Sequence, residues 1–170
     1  VMVFSTIIFI STFIYANELE SIQTAIQSSG AQWIARETEL SRLSPNERGM
    51  RLGALKPAFV EYEKVLSFQQ EQIEGLPDRL DWRDNGGNFV TPVRNQGGCG
   101  SCWAFAATAG LEATTLIADR TPGVDLNLAE QILVSCSPAG DCGGGYPTGA
   151  AQYIRDTGLP LERCYPYTAT

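Results

Sequence analysis

Between Gln96 and Phe105 the chain reads Gln-Gly-Gly-Cys-Gly-Ser-Cys-Trp-Ala-Phe, and no other stretch narrows the possible folds as strongly. Gly97, Gly98 and Gly100 permit a tight backbone that turns sharply. From Cys102 to Ile117 no Gly-Pro punctuation follows, and Ala104, Ala106, Ala107, Ala109 and Ala113 are interleaved with Trp103, Phe105, Leu111, Leu116 and Ile117. This predicts a glycine loop feeding a helix that is buried on most sides. Ser101 stands where it can cap that helix.

Such a junction has chemical consequences for Cys102. A free thiol near pH 7 is mostly protonated, so a cysteine nucleophile needs a helix N-terminus, a cation or a paired base beside it. Cys102 is offered the first of these, because the unpaired N–H groups of the first turn and the helix dipole place partial positive charge at the sulfur. Acyl transfer also needs donors aimed at an oxyanion. The side-chain amide of Gln96 and the backbone N–H of Cys102 make a candidate pair, and the loop glycines leave room for a peptide to approach.

Composition sets the outer limits. The 170 residues, 44% of them hydrophobic, suffice for one ordinary domain plus a small extra segment. A net charge of −7 gives no electrostatic footprint for nucleic acid or an anionic membrane, both of which require clustered Lys and Arg. Five cysteines, all between Cys99 and Cys164, fit an oxidising compartment. Histidine is absent, which removes the usual partner of a catalytic cysteine and the commonest metal ligand.

Upstream, Val1 to Ala16 is apolar or hydroxylic without a charge, shorter than the roughly 18 residues that span a bilayer, and ends on a small residue. It reads as a signal peptide. An uncleaved anchor or a buried strand is the alternative. Residues 17–75 read as a weakly cored segment. Asn17 and Glu20 suggest a capping box for a short helix ended by Ser28, Ser29 and Gly30. Ser44, Pro45 and Glu47 suggest a second helix, with Gly53 as its stop. Trp33-Ile34-Ala35 is an isolated apolar patch, and the charges of residues 56–75 read as a solvated face. Composition changes at Leu76-Pro77-Asp78, and a turn-rich run leads into Phe89-Val90, expected to be extended. Beyond Thr121-Pro122-Gly123, Asn127 and Glu130 suggest a capped helix through Val134, and Ala150 to Asp156 a further helix closed by Gly158.

Taken together, these residues resemble a known family. Gln96 to Phe105 is similar to the active-site segment of the papain and cathepsin cysteine proteases, and the resemblance runs from Leu76 to Tyr167. Leu76 to Arg83 resembles a mature N-terminus, Thr91 to Gln96 its lead-in, and Cys142-Gly143-Gly144-Gly145-Tyr146-Pro147 the substrate-wall segment. The resemblance implies an α+β, papain-like fold, here mainly its helical left domain after a small helical pro-segment, without the β-rich right domain. It implies Cys102 as nucleophile and Gln96 as oxyanion donor. Gly100, Trp103, Gly144, Gly145, Tyr146 and Pro147 fall at substrate-binding positions, with strand-like backbone pairing at the two glycines. Plain core packing is the competing account of Tyr146 and Pro147. Trp33-Ile34-Ala35 and Leu52-Gly53 resemble the short pro-segments of cathepsin B-like members, and such a segment would lie in the cleft as an inhibitor. The resemblance calls for no cofactor and no metal, and implies a peptide or protein substrate, a monomer, and a secretory route to an extracellular or lysosome- or vacuole-like compartment.

The family pattern also pairs Cys99 with Cys142. Cys136 and Cys164 are then partners by count, although the Cys164-Tyr165-Pro166-Tyr167 pattern pairs further downstream in cathepsin B-like members. The family's His and Asn follow the nucleophile by about 130 to 150 residues, whereas only 68 residues follow Cys102. The expectation is a C-terminally truncated protease precursor, inactive by itself for want of a base. Two other classes compete. One is a non-catalytic fragment that binds or inhibits a protease. The other is a redox or zinc site at Cys99-x-x-Cys102, against which stands the lack of a preceding β-α-β pattern.

Overall fold

A computed structural model describes residues 18–56 and 77–170. The proposed signal peptide, the Asn17 cap, the charged run over 57–75 and the expected boundary at Leu76 lie outside these residues. The chain divides into two compact units, Val1–Arg48 and Gly49–Thr170.

In the first unit, residues 18–29 form helix α1, which Gly30 ends in the left-handed region at φ 66°. Helix α2, Pro45–Gly49, begins at the expected start signal, and Ser44 and Glu47 close a reciprocal capping box there. The Ser44 N–H donates to Glu47 Oε2 at 2.8 Å and the Glu47 N–H donates back to Ser44 Oγ at 3.3 Å. The helix stops at Gly49, four residues before the expected Gly53. Gly53 is instead buried, directly before the residue that bridges to Gly145. Trp33 and Ile34 are exposed, as an apolar patch without a core of its own would be.

The second unit is built on helix α3, Cys102–Asp119, whose C-cap Arg120 adopts the left-handed conformation and donates its N–H to Ile117 O. Helix α4 spans Glu130–Cys136 and α5 spans Pro147–Thr157, with Pro147 in the first turn and Gly158 as C-cap. Among the described residues the sheet is one small antiparallel pair, β1 (Gly140–Asp141) with β2 (Gly144–Gly145), in the register Gly140 opposite Gly145. A 3-10 turn follows at Glu162–Cys164. Cys99, Trp103, Ala104, Leu133, Val134, Ala139 and Ala150 make the core, flanked by Tyr153, Ile154 and Leu159.

Three expectations change here. Helix α3 buries one stripe, Ala104, Thr108, Glu112 and Leu116 at four-residue spacing plus Trp103, while Ala106 and Ala109 are exposed. Elements α4, α5 and the hairpin cover a single face, so small side chains marked close approach there and not burial all round. Asn127 does not cap α4, which starts at Glu130 without a side-chain cap. Leu128 pairs as extended backbone with Leu161, and the Asn127 carbonyl accepts the Glu162 N–H at 2.8 Å, so helical geometry is deferred. Phe89-Val90 forms no strand: Phe89 folds back, its N–H on Trp82 O at 2.8 Å and its ring edge-on to Trp82.

A buried carboxylate braces this unit. Glu112, 3% exposed, accepts the Thr91 hydroxyl at 2.6 Å and the Leu128 N–H at 2.8 Å, joining the lead-in segment to the start of α4. Charge-assisted bonds of this kind are among the stronger ones in an interior.

Candidate active site

Cys102 is the first residue of α3, half-buried, with a free thiol. Ser101 holds the N-cap position but does not cap. Its hydroxyl bonds to the Tyr167 hydroxyl at 2.6 Å, and its carbonyl takes the Ala104 N–H at 2.8 Å. A half-buried phenol within reach is the better partner, so local cap logic loses to a contact from 66 residues away.

Six residues before the thiol, Gln96 extends Nε2 to two carbonyls, Cys99 O and Arg51 O, each at 2.8 Å. The first fixes the amide against its own loop. The second belongs to a strap, residues 49–56, that runs past the cysteine. Gly53 N–H donates to Cys102 Sγ at 3.2 Å, and the strap then pairs with β2: Gly145 N–H to Gly53 O at 2.8 Å and Leu55 N–H to Gly145 O at 2.9 Å, in a parallel bridge centred on Ala54. Gly100 donates its N–H to Cys142 O at 2.9 Å. The approach leaves no room for side chains. A Cβ on Gly53 would sit 1.5 Å from Gly100 O, and one on Gly100 would sit 2.6 Å from Cys142 O.

The wall opposite is built on Gly144 and Gly145, both buried. A Cβ on Gly144 would meet Gly53 O at 3.0 Å and the Leu55 side chain at 3.2 Å. Behind Gly145 lies Trp103, where a Cβ would fall 2.4 Å from the indole. Trp103 was expected at a substrate-binding position. It is fully buried and donates Nε1–H to Asp141 O at 3.2 Å, so it backs the wall and does not face the cleft. Tyr146 and Pro147 are exposed, which removes plain core packing as their explanation.

Cys99 is bonded to Cys142, tying the glycine loop to the wall across 43 residues of sequence. This takes Cys99 out of any redox or zinc pair with Cys102. Cys136 and Cys164, partners by count, are both free and exposed, each at the end of its own short helix.

Two groups near the site carry no site role in the sequence. Tyr167 touches Gln96 O at 2.9 Å as well as Ser101, and its ring meets Phe105 edge-on at 4.8 Å. Its only sequence signal was an aromatic beside Pro166. Burial raises its pKa, so the phenol stays protonated and able to donate. Glu130, read as a capping residue, is 5% exposed with a pKa pushed up to about 7. Loss of water is the main cause. The nearby carboxylates Glu162 and Glu112 add to it, and Arg94 works against it.

Comparison with known proteins bears on this geometry. The family model described as papain family cysteine protease matches residues 76–170. Caricain from Carica papaya is 38% identical over 158 residues, which are 92% of this chain and 44% of caricain. Cathepsin L2 from Homo sapiens is 43% identical over 113 residues, 64% of this chain and 32% of that protein. The structure of the digestive procathepsin L2 proteinase from Tenebrio molitor larval midgut superposes with a TM-score of 0.76 at 28% identity, covering all of this chain and 56% of that one. The chain thus spans about half, or less, of the length of the proteins it matches.

Proposed function

Because the chain belongs to the papain family of cysteine proteases, we propose that it carries the nucleophilic half of a peptidase that cleaves peptide bonds through a Cys102 thiolate and an acyl-enzyme. One observation carries the reading: the Gln96 amide and the Cys102 sulfur converge on one stretch of peptide backbone, the first on a carbonyl oxygen and the second two residues on. A donor that holds a peptide carbonyl beside a thiol at a helix N-terminus is the arrangement acyl transfer requires. Gly144 and Gly145 supply the backbone edge along which an extended chain aligns, with Gly100 giving clearance and Tyr146 and Pro147 exposed beside it.

The strap acts as an internal inhibitor on this reading. Attack needs the sulfur about 3 to 3.5 Å from a carbonyl carbon. Here the sulfur is met by the Gly53 N–H instead, a contact that occupies its lone pair and offers nothing to attack. Residues 17–75 would be the pro-segment and 76–170 the helical part of the catalytic domain. Relatives that match through the pro-region include caricain and procathepsin L2, which favours their type of pro-segment over the cathepsin B-like type. The apolar start fits a secretory route, and the protein would act as a monomer on peptide substrates.

With no histidine among its 170 residues, the chain lacks the ordinary base. Purified alone, it is expected to leave a peptide-amide substrate intact, while a peptidyl electrophile labels Cys102 once the strap is displaced. Turnover by the chain that Cys102→Ala abolishes would refute the missing base. Labelling at Cys136 or Cys164 with Cys102 untouched would refute the nucleophile.

A further inference from the structure

The loop from Gln96 to Ser101 carries glycine at three of its six positions, so its backbone has little rigidity of its own. Its two ends nonetheless hold the amide donor and lead into the thiol, and their spacing decides whether both reach one peptide. The Cys99–Cys142 bond fixes the middle. We propose that Tyr167 is the positioning residue for the ends: its hydroxyl joins the backbone of Gln96 to the side chain of Ser101 and so sets the distance between donor and nucleophile. This rests on the reading of Cys102 as nucleophile.

The direction of the link follows from counting protons. A carbonyl only accepts, so the Tyr167 proton goes to Gln96 O, 2.9 Å away, and the Ser101 proton must then go to the phenol oxygen at 2.6 Å. The result is a chain, Ser101 O–H to Tyr167 O–H to Gln96 O=C, in which each bond polarises the next. The phenol is itself held from three sides. Its ring lies against Phe105 on α3, the Tyr167 backbone N–H donates to Glu162 Oε1 at 2.6 Å, and the Thr168 N–H donates to Gln131 Oε1 at 2.9 Å. Packing alone would be satisfied by phenylalanine. The hydroxyl is what reaches residues 66 and 71 positions earlier.

The strap makes this testable in the chain as it stands, because Gln96 and Cys102 both grip it. Three thiols are free, one under the strap and two exposed, so site-resolved alkylation by iodoacetamide, followed by mass spectrometry, contains its own reference. Tyr167→Phe should speed alkylation of Cys102 about tenfold, the equilibrium worth of one net hydrogen bond, while Cys136 and Cys164 keep their rates. Gln96→Ala should give a similar gain, and adding Tyr167→Phe to it should change nothing more. Unchanged Cys102 reactivity in Tyr167→Phe, multiplying effects in the double variant, or an equal rise at all three thiols would overturn the proposal. Should Tyr167→Phe fail to fold, Ser101→Ala cuts the same link and must show the same selective gain. Failure of the peptidase reading looks different: a peptidyl electrophile then spares Cys102 in every variant.

Discussion

Replacing Glu130 by glutamine should abolish a pH dependence of stability that the wild-type chain carries between about pH 4.5 and 7. Glu130 sits in the first turn of α4, where the helix dipole favours a carboxylate, and Arg94 pulls the same way. Burial wins over both, leaving the group 5% exposed with its pKa at about 7 against an ordinary 4.5. The folded state therefore binds this proton more tightly than the unfolded chain does. The stabilisation is complete below about 4.5 and is lost as pH rises through about 7. At about 1.36 kcal/mol per pH unit the gap amounts to about 3 kcal/mol. Glu130→Gln is neutral throughout and nearly the same shape. It should match the wild type at pH 4 and exceed it by about 3 kcal/mol at pH 8. Urea unfolding followed by the fluorescence of buried Trp103 at several pH values measures both curves. Parallel curves, or a wild type that gains stability from pH 5 to 8, would refute the assignment of the proton to Glu130.

Other perturbations have equally definite outcomes. Gly53→Ala places a Cβ 1.5 Å from Gly100 O, so the strap must lift, and Cys102 should alkylate at least tenfold faster while Cys136 and Cys164 stay unchanged. Removing Cys99 and Cys142 together opens a link across 43 residues. By chain entropy that should cost about 4 kcal/mol, read from denaturant midpoints. Glu112→Leu leaves the Thr91 hydroxyl and the Leu128 N–H without their acceptor. It should cost about 3 kcal/mol in the same assay, more than Thr91→Val, which removes only one donor.

What could be read from the sequence was whatever depends on neighbours in the chain. The Ser44–Glu47 box formed because both partners lie within one turn with nothing competing for them. Gly30 and Gly158 ended helices because a left-handed or otherwise open backbone is demanded at those points. The glycine loop and the helix after it formed for the same reason. Misreadings occurred wherever a distant group outbid a local one. Ser101 has the right residue type at the right place for a cap, and gives its hydroxyl to Tyr167. Asn127 and Glu130 have the right spacing, but strand-like pairing of Leu128 with Leu161 holds the backbone extended through the position where a cap would act. Gly53 looked like a helix stop because glycine is common there. Its use is to let two backbones approach with no side chain between them, a demand that arises only once Gly100 and Gly145 lie across from it.

The candidate site divides along the same line. The placement of the Cys102 thiol at the helix start and of the Gln96 amide on the loop was legible, since it needs only a loop and a helix start. The residues that hold them in register were not, because Trp103 behind Gly145 and Tyr167 between Gln96 and Ser101 act through contacts closed by the fold. A side chain whose polar tip is satisfied at such a distance carries no periodic or spacing signal. It can be found only by asking where each buried hydroxyl and indole N–H sends its proton.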